Sequence, residues 1–257
     1  MAEVERLTVF FMFRGNLQEL LPPRWRGVAF FAQRLDRRAS IKDVVESLRV
    51  PHPEVQRLLV NGEEVGFDYL VRPQDRIEVY PLTPPDNVLV ATRLRPVPLP
   101  ACRFVVDVNV GRLAILLRLL GFDAVYENNL LNGDLASISQ RGERILLTRD
   151  TNLLKRKIVV YGHLIRALQP EAQVVEVVRL YALADRMQWL SRCLRCNGSL
   201  VPVAKEKIMA RLEPLTKKYY DSFRICDRCR QIYWPGSHQE NMTRYLHRLA
   251  ALIRAGA

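Results

Sequence analysis

Apolar and polar residues alternate along the first 80 residues in a way that predicts short strands and one helix. Residues 7–13 show the period of a strand with one buried face, and residues 27–31 predict a second strand. Ser40 precedes apolar residues spaced three and four apart, which predicts a helix with Ser40 as its N-cap. An Asn-Gly pair at 61–62 predicts a tight hairpin, and residues 76–80 predict a last strand.

This order of strand, strand, helix, hairpin and strand is that of the ubiquitin-like β-grasp. The segments VNGEEV and RPQDRIEVYP resemble the ubiquitin-like and sulfur-carrier branch of that fold, which implies a domain over residues 1–82. Carriers of this type act through a free C-terminal Gly-Gly, whereas this strand continues into Pro81 and a long further chain. We therefore expect a binding or scaffolding role, with a protein as the partner of this domain.

Six prolines lie between Pro81 and Pro100. Proline fixes its own φ angle and has no backbone N–H, so this stretch cannot continue a helix or a central strand. The sequence predicts a proline-rich linker over residues 83–100, extended and acting as a spacer between two domains.

Beyond the linker, short continuous apolar runs alternate with helical patterns. The run FVVDV at 104–108 is followed by a leucine-rich helix that ends at Gly121, and further strands are predicted at 124–126 and 144–148. The remaining predicted elements are helices at 133–140, 151–155 and 170–183, and strands at 157–161 and 163–167. The alternation predicts an α/β domain of three layers over residues 101–186, with a mostly parallel sheet.

Two aspartates follow predicted strands at their carboxyl ends. Asp107 ends the first buried strand and Asp150 comes just after the third, at the sheet edge where ligands bind in open α/β folds. Converging carboxylates form an oxygen-rich site that suits magnesium or manganese. Asp134, at the start of a predicted helix, is the candidate for a third ligand. Asp150 as a helix N-cap and Asp134 as a first-turn acid are the structural alternatives.

Positive charge is concentrated at the C-terminal end of the chain. Residues 186–257 hold 14 basic and 5 acidic side chains, a net charge of +9, whereas residues 1–90 have a net charge of −1. Clustered Lys and Arg favour a polyanion such as a nucleic acid, and a solvated basic surface is the alternative. The candidate nucleic-acid contacts are Arg149, Lys155, Arg156, Lys157, Lys217 and Lys218.

Four of the five cysteines form two Cys-x-x-Cys pairs. Cys193, Cys196, Cys226 and Cys229 predict a structural zinc site, since four thiolates complete a tetrahedron without an open position. Two separate redox pairs are the alternative interpretation. The remaining Cys102 is interpreted as a small core residue. These pairs predict a zinc ribbon and a basic C-terminal tail over residues 187–257.

Several other classes of protein are disfavoured by the sequence. No run reaches the roughly 18 apolar residues of a membrane helix, so we expect no membrane association. Charges in the opening MAEVER stand where a secretory leader has its apolar region, which favours the cytoplasm. No histidine has a partner at catalytic spacing, so none is assigned a catalytic role.

The segments FVVDVNVGRLAILLRLLGFDAVY, RILLTRD, SRCLRCNGSLVPV and CDRCRQIYWPGSH together resemble the Mut-seven C-terminal RNase family. That family joins a PIN-like nuclease fold to a zinc ribbon, and some bacterial members carry a ubiquitin-like domain in front. The resemblance implies RNA cleavage that depends on a divalent metal ion. It places the acidic positions of the family at Asp107 and Asp150.

The third acidic position departs from the family pattern N-D-x-D-D-A-E-L. The chain has Asn129, Leu131 and Asn132 where that pattern has acids, and Asp134 alone keeps a carboxylate. Two hypotheses follow. The first is a metal-dependent ribonuclease of PIN-like type, and the second is an RNA-binding or ribonucleoprotein-associated factor with a degenerate nuclease centre.

Overall fold

The computed structural model describes residues 7–234 and 237–255. The N-terminal domain contains the strands β1 (Leu7–Phe13), β2 (Phe31–Leu35), β3 (Val55–Val60), β4 (Glu63–Glu64) and β5 (Arg76–Pro81), and the helix α1 (Ile41–Ser47). The strands form one sheet in the order β2-β1-β5-β3-β4, with β1 and β5 parallel. The Ser40 hydroxyl accepts a hydrogen bond from the Asp43 N–H and caps α1 as predicted. The ubiquitin-like β-grasp is therefore confirmed.

The second strand begins at Phe31, four residues later than the start predicted from the sequence. A short 3₁₀ turn at Pro23–Trp25 precedes it, and the Trp25 ring stacks on Phe31 with ring centroids 4.2 Å apart. The apolar residues around 28 therefore belong to the loop that enters the strand. Phe11 and Phe13 of β1 are fully buried beneath this loop and sheet, as the alternating pattern of β1 requires.

The proline-rich segment 83–100 packs against both domains and does not act as the extended spacer predicted from its prolines. Val88 and Leu99 are buried in the core of the central domain, and Leu94 is buried in the core of the N-terminal domain. Arg95 forms an ion pair of 2.9 Å with Asp86, and both side chains are buried. Prolines exclude this segment from a sheet, but apolar residues between them still bury their side chains.

The central domain is a three-layer α/β fold. Its elements are β6 (Phe104–Val106), α2 (Gly111–Leu119), β7 (Ala124–Val125), α3 (Asn132–Arg141), β8 (Ile145–Thr148), α4 (Thr151–Leu154), β9 (Gly162–Leu164) and α5 (Pro170–Leu180). The sheet has the order β7-β6-β8-β9, and its described pairs are parallel. Leu113 of α2 and Val177 of α5 belong to the core on one face. Leu135 of α3 and Leu153 of α4 cover the other face, where Val105 and Leu146 point.

One predicted strand of this domain is absent from the described chain. Residues 157–161 form a turn, in which the Val159 N–H donates to the Arg156 carbonyl at 2.9 Å. The last strand is reduced to the three residues of β9. Val159 is still buried, so its apolar character reflects packing under a turn.

The C-terminal region forms a small antiparallel sheet followed by a long helix. The strands β10 (Leu200–Val203), β11 (Phe223–Cys226) and β12 (Ile232–Tyr233) pair in sequence order, with α6 (Pro214–Tyr219) between the first two. The expected basic tail is instead the helix α7 (Ser237–Ala255). Leu246, Leu249 and Ile253 of α7 are buried in the core of the central domain, because they recur at helical spacing on one face.

Among the helices that the structure describes, none is both long and apolar enough to cross a membrane. Residues 1–6, which carry the argument against an export leader, lie outside the described residues.

Candidate active site and metal centre

Asp107 and Thr148 leave the central sheet side by side. Val106 of β6 pairs with Leu147 of β8, so the residues that follow them lie at the same carboxyl edge of the sheet. The Thr148 hydroxyl donates to Asp107 Oδ2 at 2.6 Å, and the Asn109 side-chain amide donates to the same oxygen at 2.7 Å. The structure therefore fixes the orientation of this carboxylate with two neutral donors.

Asp107 is a buried carboxylate without a cationic partner. The side chain is 6% exposed, and no Lys, Arg or His forms an ion pair with it among the residues that the structure describes. A buried anion loses its hydration at a cost of several kcal/mol unless it is paired or bound to a cation. Its Oδ1 atom has no hydrogen-bond donor in the described part of the chain. These two observations fit a hard cation at Oδ1.

Asp150 has the capping role that was the structural alternative, and it has a second contact as well. Its Oδ1 accepts the N–H groups of Asn152 and Leu153 at 2.8 and 3.3 Å, which caps α4. Its Oδ2 accepts the Asn132 side-chain amide at 3.0 Å. One oxygen thus belongs to the helix, while the other faces the start of α3.

Thr148 connects the two aspartates. Its hydroxyl donates to Asp107 and accepts the backbone N–H of Asp150 at 2.9 Å, and its side chain is fully buried. Asn109 extends this network, because its Oδ1 accepts the Arg149 N–H at 3.3 Å. Nothing in a linear pattern shows that Thr148 and Asn109 both donate to the Asp107 carboxylate.

Asp134 lies at the first turn of α3, where the structural alternative placed it. Its Oδ2 accepts the Leu131 N–H at 3.2 Å, and the side chain is exposed. The side chain that contacts Asp150 is that of Asn132, two residues earlier. The described residues contain one cluster of three or more groups that could hold a metal ion, and it consists of cysteines. A role for Asp134 as a ligand stays a prediction.

Four of the predicted nucleic-acid contacts lie close to Asp150 in the sequence. Arg149 is exposed, and its guanidinium donates to the Ala167 carbonyl at 3.2 Å. Lys155 is half-buried at the end of α4, and burial lowers the pKa of its ammonium group. Arg156 and Lys157 follow it and are exposed. Arg149 thus precedes Asp150 in the chain, and the other three basic residues follow within seven positions, at the end of α4 and beyond it.

The other two predicted contacts, Lys217 and Lys218, lie on α6 in the C-terminal region. Lys218 is exposed, with its ammonium 5.3 Å from the centre of the Tyr219 ring. Tyr219 is 63% exposed and Trp234 is 39% exposed. Tyr233, the residue before Trp234, packs against the cysteines instead.

The four paired cysteines converge on one point. The Sγ atoms of Cys193, Cys196, Cys226 and Cys229 all lie within 4.8 Å of one another. The closest pairs cross between the two motifs, at 3.5 Å for Cys193 and Cys229 and 3.4 Å for Cys196 and Cys226. Four soft sulfur donors in one compact cluster fit a tetrahedral metal ion, and zinc is the ion that such a set prefers. Two separate redox pairs do not agree with this arrangement.

Tyr233 prepares the first of these thiols for metal binding. Its hydroxyl lies 3.1 Å from Cys193 Sγ and accepts the Leu194 N–H at 3.1 Å. Burial opposes ionisation of Cys193, but the hydrogen bond from Tyr233 and those from nearby backbone N–H groups lower the pKa of this thiol to about 7. By contrast, burial and the neighbouring thiols raise the pKa of Cys229 to about 12. A lowered pKa favours the thiolate form of Cys193, which is the form that binds a metal ion.

Comparison with known proteins agrees with this architecture. A model of the Mut7-C RNAse domain matches residues 102–246, which is more than half of the chain, and a model of the Mut7-C ubiquitin domain matches residues 6–86. No curated protein and no solved structure matches the chain significantly. The ubiquitin model covers the β-grasp domain, and the RNAse model covers the central domain and the cysteine cluster. The chain therefore belongs to the Mut7-C RNAse family and carries that family's ubiquitin-like domain at its N-terminal side.

Proposed function

We propose that the central domain hydrolyses phosphodiester bonds of RNA with a magnesium or manganese ion held by Asp107 and Asp150. The observation that carries this proposal is the buried Asp107 carboxylate, which has neutral donors on one oxygen and no cationic partner among the described side chains. Membership of an RNase family supports the same reaction class.

In this proposal Asp107 and Asp150 would hold the cation. Thr148 and Asn109 keep the Asp107 carboxylate in one orientation, since both donate to its Oδ2 atom. When bound, the cation polarises the scissile phosphate and lowers the pKa of a bound water, so that no covalent nucleophile is needed. Asp134, exposed at the start of α3, is the third proposed ligand.

The basic residues before and after Asp150 in the sequence hold the RNA backbone in this proposal. Arg149, Arg156 and Lys157 are exposed and are available to pair with phosphates. Lys217 and Lys218 extend the positive surface into the C-terminal region, where Tyr219 is available to stack on a base.

The proposal is tested with the full chain, manganese and a mixed pool of RNA. We expect cleavage that stops in chelator and that falls by at least about a hundredfold in Asp107→Asn, because this substitution removes a charged metal ligand. Asp185→Asn is the matched control, since Asp185 is exposed and lies outside this network. Cleavage that is unchanged in Asp107→Asn, or that is absent with manganese, contradicts the proposal.

A second function is favoured by the contact between Asn132 and Asp150. An amide at this position donates a hydrogen bond to the carboxylate and supplies no negative charge for a cation. The site then serves an RNA-binding or ribonucleoprotein-associated factor without hydrolysis. RNA binding that persists in chelator, with no cleavage under any metal condition, would select this function over the first.

For the N-terminal domain we propose a role in binding a protein partner. Its last strand, β5, continues directly into the packed segment 83–100, so the strand end is not a free carrier terminus. This continuity supports the scaffolding role that the sequence predicts. A carrier mechanism does not fit this arrangement, because it requires a free C-terminal Gly-Gly.

A further inference from the structure

Arg118 of α2 is a buried cation held entirely by backbone carbonyls. The side chain is 3% exposed. Its Nε donates to the Ala124 carbonyl at 2.9 Å, and one terminal nitrogen donates to the Leu194 and Arg195 carbonyls at 3.0 and 3.3 Å. The other terminal nitrogen donates to the Tyr126 carbonyl at 3.4 Å. The guanidinium therefore joins the end of strand β7 to the two residues between Cys193 and Cys196.

The charge of Arg118 has no carboxylate to neutralise it within ion-pair distance in the described chain. Asp123 is occupied by Arg144 at 2.6 Å and by Asn197 at 2.7 Å. Burial lowers the pKa of Arg118, and the largest influences that oppose burial come from Cys193 and Cys196, followed by Asp123. The hydrogen bonds to the Leu194 and Arg195 carbonyls place the guanidinium next to this first cysteine pair, so its thiols are among the negative groups that act on the cation.

A zinc ion with four thiolates carries a net charge of about −2, which is the sum of the ion and its ligands. Such a centre needs positive groups or N–H donors nearby, because its charge lies in a protein interior of low dielectric. Arg118 supplies a full positive charge that cannot be lost at neutral pH. Its hydrogen bonds to the Leu194 and Arg195 carbonyls hold the guanidinium next to the first cysteine pair.

The other side of Arg118 leads toward the candidate active site. The Tyr126 hydroxyl donates to Asn128 Oδ1 at 2.5 Å, at the start of the loop 127–131. The Tyr126 ring lies against the first residue of α2, since a Cβ on Gly111 would clash with the Tyr126 hydroxyl. Asn132 follows this loop as the first residue of α3, and its side-chain amide donates to Asp150 Oδ2. Arg118 thus holds the strand end from which this loop departs.

We propose that Arg118 is a positioning residue that neutralises the zinc-loaded cysteine cluster and, through the Ala124 and Tyr126 carbonyls, couples the presence of zinc to the order of the loop 127–131. The structural zinc ion then influences the nuclease edge without taking part in the reaction. The inference goes beyond the proposed hydrolysis, because it applies equally to a site that only binds RNA.

The test uses the full chain and the variants Arg118→Met and Arg118→Lys. Zinc release to a chromogenic chelator should be about tenfold faster in Arg118→Met, as expected for the loss of an outer-shell partner of a metal site. Arg118→Lys keeps the charge and should restore most of the zinc retention. Hydrogen exchange over residues 126–131 should rise in both variants, because neither side chain can bond all the carbonyls. Replacing zinc with cobalt provides a spectroscopic measure, since the thiolate-to-metal band should shift in Arg118→Met and return in Arg118→Lys.

Arg192→Met is the matched control. Arg192 also contacts this region, through the Asn197 carbonyl at 3.0 Å, but its charge lies 3.6 Å from Asp123. It should leave zinc release and loop exchange near the values of the unchanged chain. Zinc release that is unaffected in Arg118→Met would overturn the charge role. Loop exchange that does not respond to zinc removal in the unchanged chain would overturn the coupling. If Arg118→Met does not fold, exchange in the N-terminal domain will show it, and Arg118→Lys with the zinc-removal experiment still decides the coupling.

Discussion

Glu54 of the N-terminal domain and His163 of β9 form a buried ion pair, with 3.0 Å between Oε1 and Nδ1. The other ring nitrogen of His163 lies 2.9 Å from Glu176, and Arg166 contacts the second oxygen of Glu54 at 2.9 Å. The Leu164 N–H also donates to Glu54 at 2.8 Å. The two domains are therefore joined at the strand next to β8, which carries Thr148.

This pair predicts that the stability of the chain falls at alkaline pH. Burial opposes the charge on His163, but Glu54 and Glu176 outweigh it and raise the pKa of His163 from 6.5 to about 9. A raised pKa contributes stability that is fully present below about pH 6.5 and is lost as the pH rises through about 9. The loss should be on the order of 3 kcal/mol. Thermal unfolding measured from about pH 6 to about pH 10 checks this, because that range spans the pKa of His163 in the unfolded and the folded chain.

His163→Gln is the variant that isolates this effect. It should be less stable than the unchanged chain at about pH 6, and its stability should not decline as the pH rises to about 10. The partner Glu54 behaves in the opposite direction, since His163, Arg166 and the Leu164 N–H overcome burial and lower its pKa to about 2. Its contribution is present above about pH 4.5 and is lost as the pH falls toward 2. An identical alkaline decline in His163→Gln would show that another group is responsible.

Thr148→Val should weaken the candidate active site and also the fold. The substitution removes the hydroxyl that donates to the buried Asp107 carboxylate, so we expect a loss of about 2 kcal/mol in the free energy of unfolding. Manganese affinity should fall as well, because Asp107 is no longer held in one orientation. Thr148→Ser keeps the hydroxyl and should recover both properties. Denaturant unfolding and manganese titration measure the two effects, and a stable valine variant with normal manganese binding would contradict the network.

Asn132→Asp should increase the affinity for a divalent cation. The amide of Asn132 lies 3.0 Å from Asp150, so an acid at this position brings a second carboxylate beside the first. Without a cation the two negative charges repel, and the variant should be less stable than the unchanged chain in chelator and more stable in manganese. The matched variant Gln140→Glu adds the same charge at an exposed position near the other end of α3. Equal responses of the two variants to manganese would show that the contact with Asp150 has no special role.

Cys226→Ser should abolish zinc binding and unfold the C-terminal sheet. Cys226 ends β11 and its Sγ belongs to the four-sulfur cluster, so its loss removes most of the binding free energy that folds this module. Hydrogen exchange in the N-terminal domain should not change. Cys102→Ser is the control, because Cys102 lies outside the cluster and should retain one zinc ion per chain, measured by elemental analysis. Unchanged thermal unfolding in Cys226→Ser would contradict a structural role for the ion.

Local patterns predicted the parts of this molecule that depend on nearby residues. The cap at Ser40, the parallel sheet and the cysteine cluster follow from spacings of a few residues. Contacts between distant segments left no such pattern. Glu54 and His163 meet across 109 positions, and Arg118 meets Leu194 across 76. The hydrogen bond from the Asn132 side chain to Asp150 likewise depends on how the start of α3 packs beside the end of β8, which no local pattern shows.

The proline-rich segment has a consequence for how the molecule melts. Leu94 is buried with the N-terminal domain while Val88 and Leu99 are buried with the central domain, so neither core is complete without the same stretch of chain. Pulling the two apart exposes apolar surface on both sides. We therefore expect the β-grasp and nuclease halves to unfold as a single cooperative unit, in which loss of either half removes support from the other.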